Sequence, residues 1–175
     1  LLINPRGSDG YGEQFYDGVH AAWGVADAGD FLEPIDTLVA EGLADPDRLA
    51  VGGYSYGGFM ACWLTGHDDR FAAAVAGGTV SDLASMYGTS DDLCLSAYEL
   101  GGAPWEEPGL YAAMSPITQD SRMNMAVCSR SNASASAGIS TVTVLSVCTF
   151  SRYCLSAARP CSLAKSARHL PSAVC

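Results

Sequence analysis

Apolar positions fall along this chain in two patterns. Leu1-Leu2-Ile3, Leu49-Ala50-Val51 and Phe71-Ala72-Ala73-Ala74-Val75-Ala76 are short, unbroken runs. Runs of that length, bounded by turn residues, predict strands buried on both faces of a parallel sheet. Strands are therefore expected at Leu1–Asn4, Arg48–Gly52 and Phe71–Ala76. Elsewhere the period is helical. Phe31, Ile35, Leu38 and Val39 mark one face of a helix, with Asp30 as its expected N-cap, Glu33 completing a capping box, and Gly42 as its stop. Pro34 then falls in the first turn and should distort or shift the start. A shorter helix is expected from Phe15 to Trp23, ending near Gly24, and Asp45-Pro46-Asp47 reads as a turn into the second strand. Phe59 to Leu64 runs without a breaker as far as Gly66-His67-Asp68-Asp69. From Ser81 to Met114 the pattern gives short helices and loops, with Tyr98, Trp105 and Tyr111 expected to supply packing. Met114-Ser115-Pro116-Ile117 reads as a return to the core.

Strands alternating with helices imply right-handed crossovers and a parallel α/β sheet. One junction in that series carries chemistry. Gly53-Tyr54-Ser55-Tyr56-Gly57 is a G-x-S-x-G pentapeptide with a strand before it and a helix after it, the context of a nucleophile elbow. A serine on so sharp a turn holds a strained backbone, which requires glycine two positions either side. Gly58 lets the helix pack close to its neighbours. The turn raises the Ser55 hydroxyl above the sheet edge and sets the Tyr56 backbone N–H at the helix mouth as an oxyanion donor.

Composition narrows the class. At 175 residues, 49% hydrophobic and 16% charged, the chain is globular, and no run approaches a membrane span. It opens in mid-strand without a methionine or a leader, as a piece of a longer protein would. Charge is divided sharply. All 19 acidic residues lie at or before Asp120, against Arg6, Arg48 and Arg70, while residues 121–175 hold six bases and no acid. The acidic body argues against nucleic-acid partners. Seven cysteines occur without a C-x-x-C pair and without metal-ligand spacing, so neither metal nor cofactor is expected. Reduced thiols and a cytoplasmic location fit this usage. Residues 119–175 hold many serines and five cysteines, and read as an atypical tail outside the native fold, such as a shifted reading frame would produce. Within the tail, Thr141-Val142-Thr143-Val144-Leu145 has the composition of a strand.

The ordered set of motifs adds to this reading. Asn4-Pro5-Arg6-Gly7-Ser8 with Gly10-Tyr11-Gly12, then Trp23-Gly24 with Asp27 and Asp30, then Asp45-Pro46-Asp47-Arg48, then Gly53 to Gly58, then Ser115-Pro116-Ile117, resembles the prolyl oligopeptidase family of serine peptidases, in its acylaminoacyl-peptidase and dipeptidyl-peptidase branch. The resemblance covers about residues 1–118. It implies a partial α/β-hydrolase fold, Ser55 as nucleophile, the Tyr56 N–H as oxyanion donor, and short peptides as substrates.

Departures from the family pattern are equally specific. Members carry a His-Gly-Gly-Pro-like stretch ahead of the first motif, which is missing here, as is a propeller domain. The family places its triad acid and then its histidine after the Ser-Pro-Ile landmark, yet no Asp or Glu follows Asp120. The triad acid is therefore absent, and His169, in Arg168-His169-Leu170-Pro171, is the weak candidate base. His20, His67 and Asp82 read as structural, as do Asp9, Asp27 and Asp30. Three readings stay open: a serine peptidase domain inactive in this form, an α/β-hydrolase esterase, and a non-catalytic module that keeps the fold.

Overall fold

The computed structural model describes residues 1–119 and 143–147. Its elements follow in order: α1 Glu13–Tyr16, α2 Ala28–Ala40, β1 Leu49–Tyr54, α3 Tyr56–His67, β2 Phe71–Gly77, α4 Leu83–Thr89, α5 Leu93–Glu99, α6 Pro108–Met114 and β3 Thr143–Val147. The described sheet has the order β2-β1-β3. Both pairings are parallel, with Val51 opposite Ala74 on one side and Leu145 on the other. Two strands joined through α3 give the crossover that the alternation predicts.

Three strand expectations meet different outcomes. β1 and β2 form where the apolar runs lie, each extended by a residue or two at its C-terminal end. Leu1–Asn4 forms no strand. Both edges of β1 are occupied by β2 and β3, and Ile3 instead packs half-buried against the core. β2 also departs from burial on both faces, since Ala72, Ala73 and Val75 are exposed. It stands at one edge of the described sheet, with no described strand on its other side.

The tail contributes one described element. A strand does form in it, two residues later than Thr141–Leu145, and it pairs along the length of β1 from Leu49 to Gly53. Thr143, Val144 and Val147 are β-branched, the residue type enriched in strands. Residues 143–147 of the tail thus pair with β1; the rest of it, from Asp120 on, lies outside the described residues.

The helices start elsewhere than their caps suggest. α2 begins at Ala28, with Asp27 rather than Asp30 at its N-cap, and no side-chain cap bond is formed there. Asp30 cannot cap because Arg6 takes its carboxylate: the Arg6 backbone N–H donates to Oδ2 at 2.8 Å and the guanidinium Nη2 to Oδ1 at 2.9 Å. That pairing also holds the Arg6 guanidinium above its usual value. The earlier start places Pro34 inside the helix rather than in its first turn. The helix expected over Phe15–Trp23 reduces to α1 and a 3-10 turn at Asp17–Val19, ahead of the glycine.

The core lies between sheet and helices. Phe31 and Ile35 of α2, Val51 of β1, Phe59, Met60 and Leu64 of α3, and Leu83, Leu100, Tyr111 and Met114 are its buried residues. α3 is apolar almost all round, as its eight consecutive buried residues from Gly57 to Leu64 require. Tyr111 packs as expected, and Tyr98 and Trp105, though 41% and 72% exposed, lie edge-on to His20 and Tyr87. Ser115 and Pro116 do return to the core, where Ser115 Oγ accepts from the Leu83 N–H at 3.0 Å. Among the described residues no helix is long and apolar enough to cross a membrane.

Candidate active site

β1 ends at Tyr54 and α3 begins at Tyr56, so a single residue makes the turn between them. That residue is Ser55, with φ 58° and ψ −118°. A side chain in that region is strained by roughly 1–3 kcal/mol, so the surroundings must over-determine it. They do so at both backbone ends. The Ser55 N–H donates to Gly77 O at 2.9 Å, and Ser55 O accepts from the Phe59 N–H at 2.9 Å. The first bond continues the β1–β2 ladder past its end; the second is the opening turn of α3.

The first glycine of the pentapeptide is required by the closeness of the second. A Cβ added at Gly53 would lie 2.6 Å from Gly57 Cα, and closer still to the Gly57 carbonyl. A Cβ at Gly58 would come within 2.6 Å of Gly77 O, so that glycine sets the approach of α3 to β2. Ser55 itself is exposed at the end of the sheet. Tyr56 opens α3, so its backbone N–H belongs to the first turn, at the positive end of the helix.

A solvent-facing hydroxyl beside a helix N-terminal amide can attack a carbonyl and stabilise the oxyanion formed, provided a base takes its proton. The described histidines are occupied elsewhere. His67 closes α3, roughly 18 Å of helical rise from its start. Its Nδ1 lies 2.8 Å from Trp63 O and its ring stacks on Trp63 at 4.1 Å. His20 packs edge-on against Tyr98 at 5.0 Å. Asp82 caps α4, accepting from the Ala84 N–H at 3.1 Å and the Ser85 hydroxyl at 2.6 Å. These bonds hold its carboxyl below the usual range. Each of the three side chains is thus engaged in local contacts. His169 lies outside the described residues. Among the described residues no group of His, Cys, Asp or Glu could hold a metal ion.

The structure also brings in a residue that sequence reasoning takes for a turn or cap residue. Asp27 is fully buried, its Oδ1 accepting from the Gly24 N–H at 2.8 Å and its Oδ2 from the Tyr56 hydroxyl. Burial pushes its carboxyl up to about 6, and the bond from Tyr56 opposes that rise. The signal was the Trp23-Gly24 pair with Asp27 three residues on. Nothing in that spacing names Tyr56 as the partner.

A serine at a one-residue turn from a parallel strand into a helix, within a sheet flanked by helices, defines the α/β-hydrolase class. Within it, the profile of the prolyl oligopeptidase family matches residues 1–130, and the chain belongs to that family. It is 38% identical over 132 residues to an acylamino-acid-releasing enzyme of Arabidopsis thaliana, covering 70% of this chain and 17% of that one. It is 43% identical over 92 residues to an uncharacterized peptidase of Bacillus subtilis, covering 52% of this chain and 14% of the relative. Among solved structures, the acylaminoacyl peptidase of Pyrococcus horikoshii superposes with a TM-score of 0.60 at 34% identity, over 65% of this chain and 19% of that one. A puromycin-hydrolyzing peptidase of Mycobacterium tuberculosis gives 0.62 at 33% identity, over 68% and 18%. The chain thus spans less than a fifth of the length of each of these relatives.

Proposed function

We propose that this chain carries the nucleophile segment of a serine peptidase that cleaves short or N-blocked peptides through an acyl-enzyme on Ser55. The observation that supports this reading is the Ser55 backbone, held at φ 58° by bonds at both ends, in a chain of the prolyl oligopeptidase family. Ser55 Oγ adds to the peptide carbonyl, the oxyanion rests against the Tyr56 N–H, and the amine leaves to give an ester that water then hydrolyses. The related acylamino-acid-releasing enzyme and acylaminoacyl peptidase are consistent with an N-blocked substrate.

Proton removal from Ser55 needs a base and an acid that orients it. His20, His67 and Asp82 are engaged away from the serine, and no Asp or Glu follows Asp120. These 175 residues alone should therefore hydrolyse peptides at least about 10³-fold more slowly than an intact relative, the scale of a lost triad. The test is to append the family's acid and histidine segment and assay N-acetylated peptides beside simple esters. Activity on the peptides that Ser55→Ala abolishes supports the reading. Activity confined to esters makes the protein an esterase, and activity that survives Ser55→Ala removes Ser55 from the chemistry. Rapid fluorophosphonate labelling of Ser55 in the unmodified chain overturns the incompleteness.

A further inference from the structure

Tyr56 has two jobs at one position. Its backbone stands next to Ser55, and its side chain reaches back across α3 to the turn before α2. The ring lies edge-on to Trp23 at 4.8 Å and tilted on Phe59 at 5.3 Å. Trp23 is in turn fixed by its Nε1, which donates to the buried Glu99 carboxylate at 3.4 Å. The Tyr56 hydroxyl donates to Asp27 Oδ2, while Asp27 Oδ1 takes the Gly24 N–H. Asp27 sits at the N-cap position of α2, yet its carboxylate makes no cap bond there. A fully buried carboxylate that forgoes its own helix end and binds two other groups is being used as a clamp between the Trp23-Gly24 turn and the first residue of α3.

We propose that Asp27 is a positioning residue for the elbow: through the Tyr56 hydroxyl it holds the Tyr56 ring, and with it the direction of the Tyr56 backbone N–H beside Ser55. Its bearing on catalysis rests on the reading of Ser55 given above. The clamp itself is a property of the folded chain.

Ionisation of Asp27 changes what the clamp can accept. The charged carboxylate accepts from both the Tyr56 hydroxyl and Gly24; the neutral acid has one oxygen that must itself donate. The carboxyl is pushed up to about 6 by burial, so the change falls in an accessible range. The charged groups near it are Arg6 from the N-terminal loop and Asp30 on its own helix, with Tyr56 facing it from α3 and Glu99 lying across Trp23.

The test is a pH titration, from 4 to 8, of the backbone amide at position 56 in the full chain labelled with 15N-tyrosine. The expected result is a step in that resonance with a midpoint near pH 6, absent in Asp27→Asn. Histidines in general titrate in the same range, and the Asp27→Asn arm separates them. Tyr56→Phe, labelled with 15N-phenylalanine, keeps Asp27 and the ring but cuts the link, so the step at position 56 should collapse there too. That arm decides the matter if Asp27→Asn does not fold. A flat titration in the unaltered chain overturns the proposal. So does a step that persists unchanged in either variant. Because the amide is read rather than turnover, the result stands whether or not Ser55 proves to be the nucleophile.

Discussion

Replacing Gly53 by alanine, with Gly52→Ala as its companion, tests the elbow more sharply than removing the serine. The two glycines are adjacent in β1, paired with Ala76 and Val75 of β2, and their Cα substituents would point to opposite faces. A Cβ at Gly52 meets nothing nearer than Val75 O at 3.6 Å, an ordinary contact. Alanine in a strand interior is favoured over glycine by roughly 0.5–1 kcal/mol, so Gly52→Ala should be neutral or mildly stabilising. A Cβ at Gly53 would lie 2.6 Å from Gly57 Cα, whereas carbon atoms rest at about 3.5–4.0 Å. Both partners are backbone, so no side chain can swing aside; β1 and the first turn of α3 must move apart. Overpacking of that kind costs about 3 kcal/mol, the upper end of its usual range. The two variants should therefore differ by roughly 3–4 kcal/mol, or about 6–16 °C in Tm. Urea unfolding followed by far-UV circular dichroism measures this directly. If Gly53→Ala unfolds within about 1 kcal/mol of Gly52→Ala, the tight turn is not what the glycine is for.

Three further outcomes follow from the same geometry. Ser55→Gly should raise stability by about 1–2 kcal/mol by releasing the strain at φ 58°, whereas Ser55→Ala should leave it near wild type; equal melting of the two would mean that the turn stores no strain. Asp27, with its carboxyl raised to about 6, stabilises the fold fully below the ordinary carboxylate range and loses that contribution as pH rises through 6. The difference is on the order of 3 kcal/mol between pH 4 and 8, and Asp27→Asn should flatten that part of the urea-midpoint profile; identical slopes would contradict it. Asp82→Ala should cost about 1 kcal/mol by uncapping α4, read by the same unfolding assay at neutral pH. Because the Asp82 carboxyl is held below its usual range, that contribution is present above the range and fades as acid protonates it, so the variant and wild type should converge at low pH.

The elbow was legible in the sequence because every constraint on it is local. A strand run, two glycines around a serine and an unbroken helix leave few other conformations for Gly53 to Leu64, and β1, α3 and β2 lie where those patterns end. The turn at Asp45 and the cap at Asp82 were legible for the same reason, since each side chain bonds backbone within three residues. Where a residue's partner is distant, local pattern assigns the wrong role or none. Asp30 looks like a cap until Arg6, 24 positions earlier, takes its carboxylate. Leu1–Asn4 has a strand's composition, but composition does not choose a partner: β2 and β3 flank β1, and Ile3 packs against the core outside the described sheet. Asp27 reads as a turn residue until folding buries it against the hydroxyl of Tyr56, 29 positions on. Periodicity and turn chemistry record what a residue does to its neighbours along the chain. Burial and pairing between distant segments exist only once the chain has closed on itself, and it is there that Asp27 acquires its shifted carboxyl and its hold on the elbow.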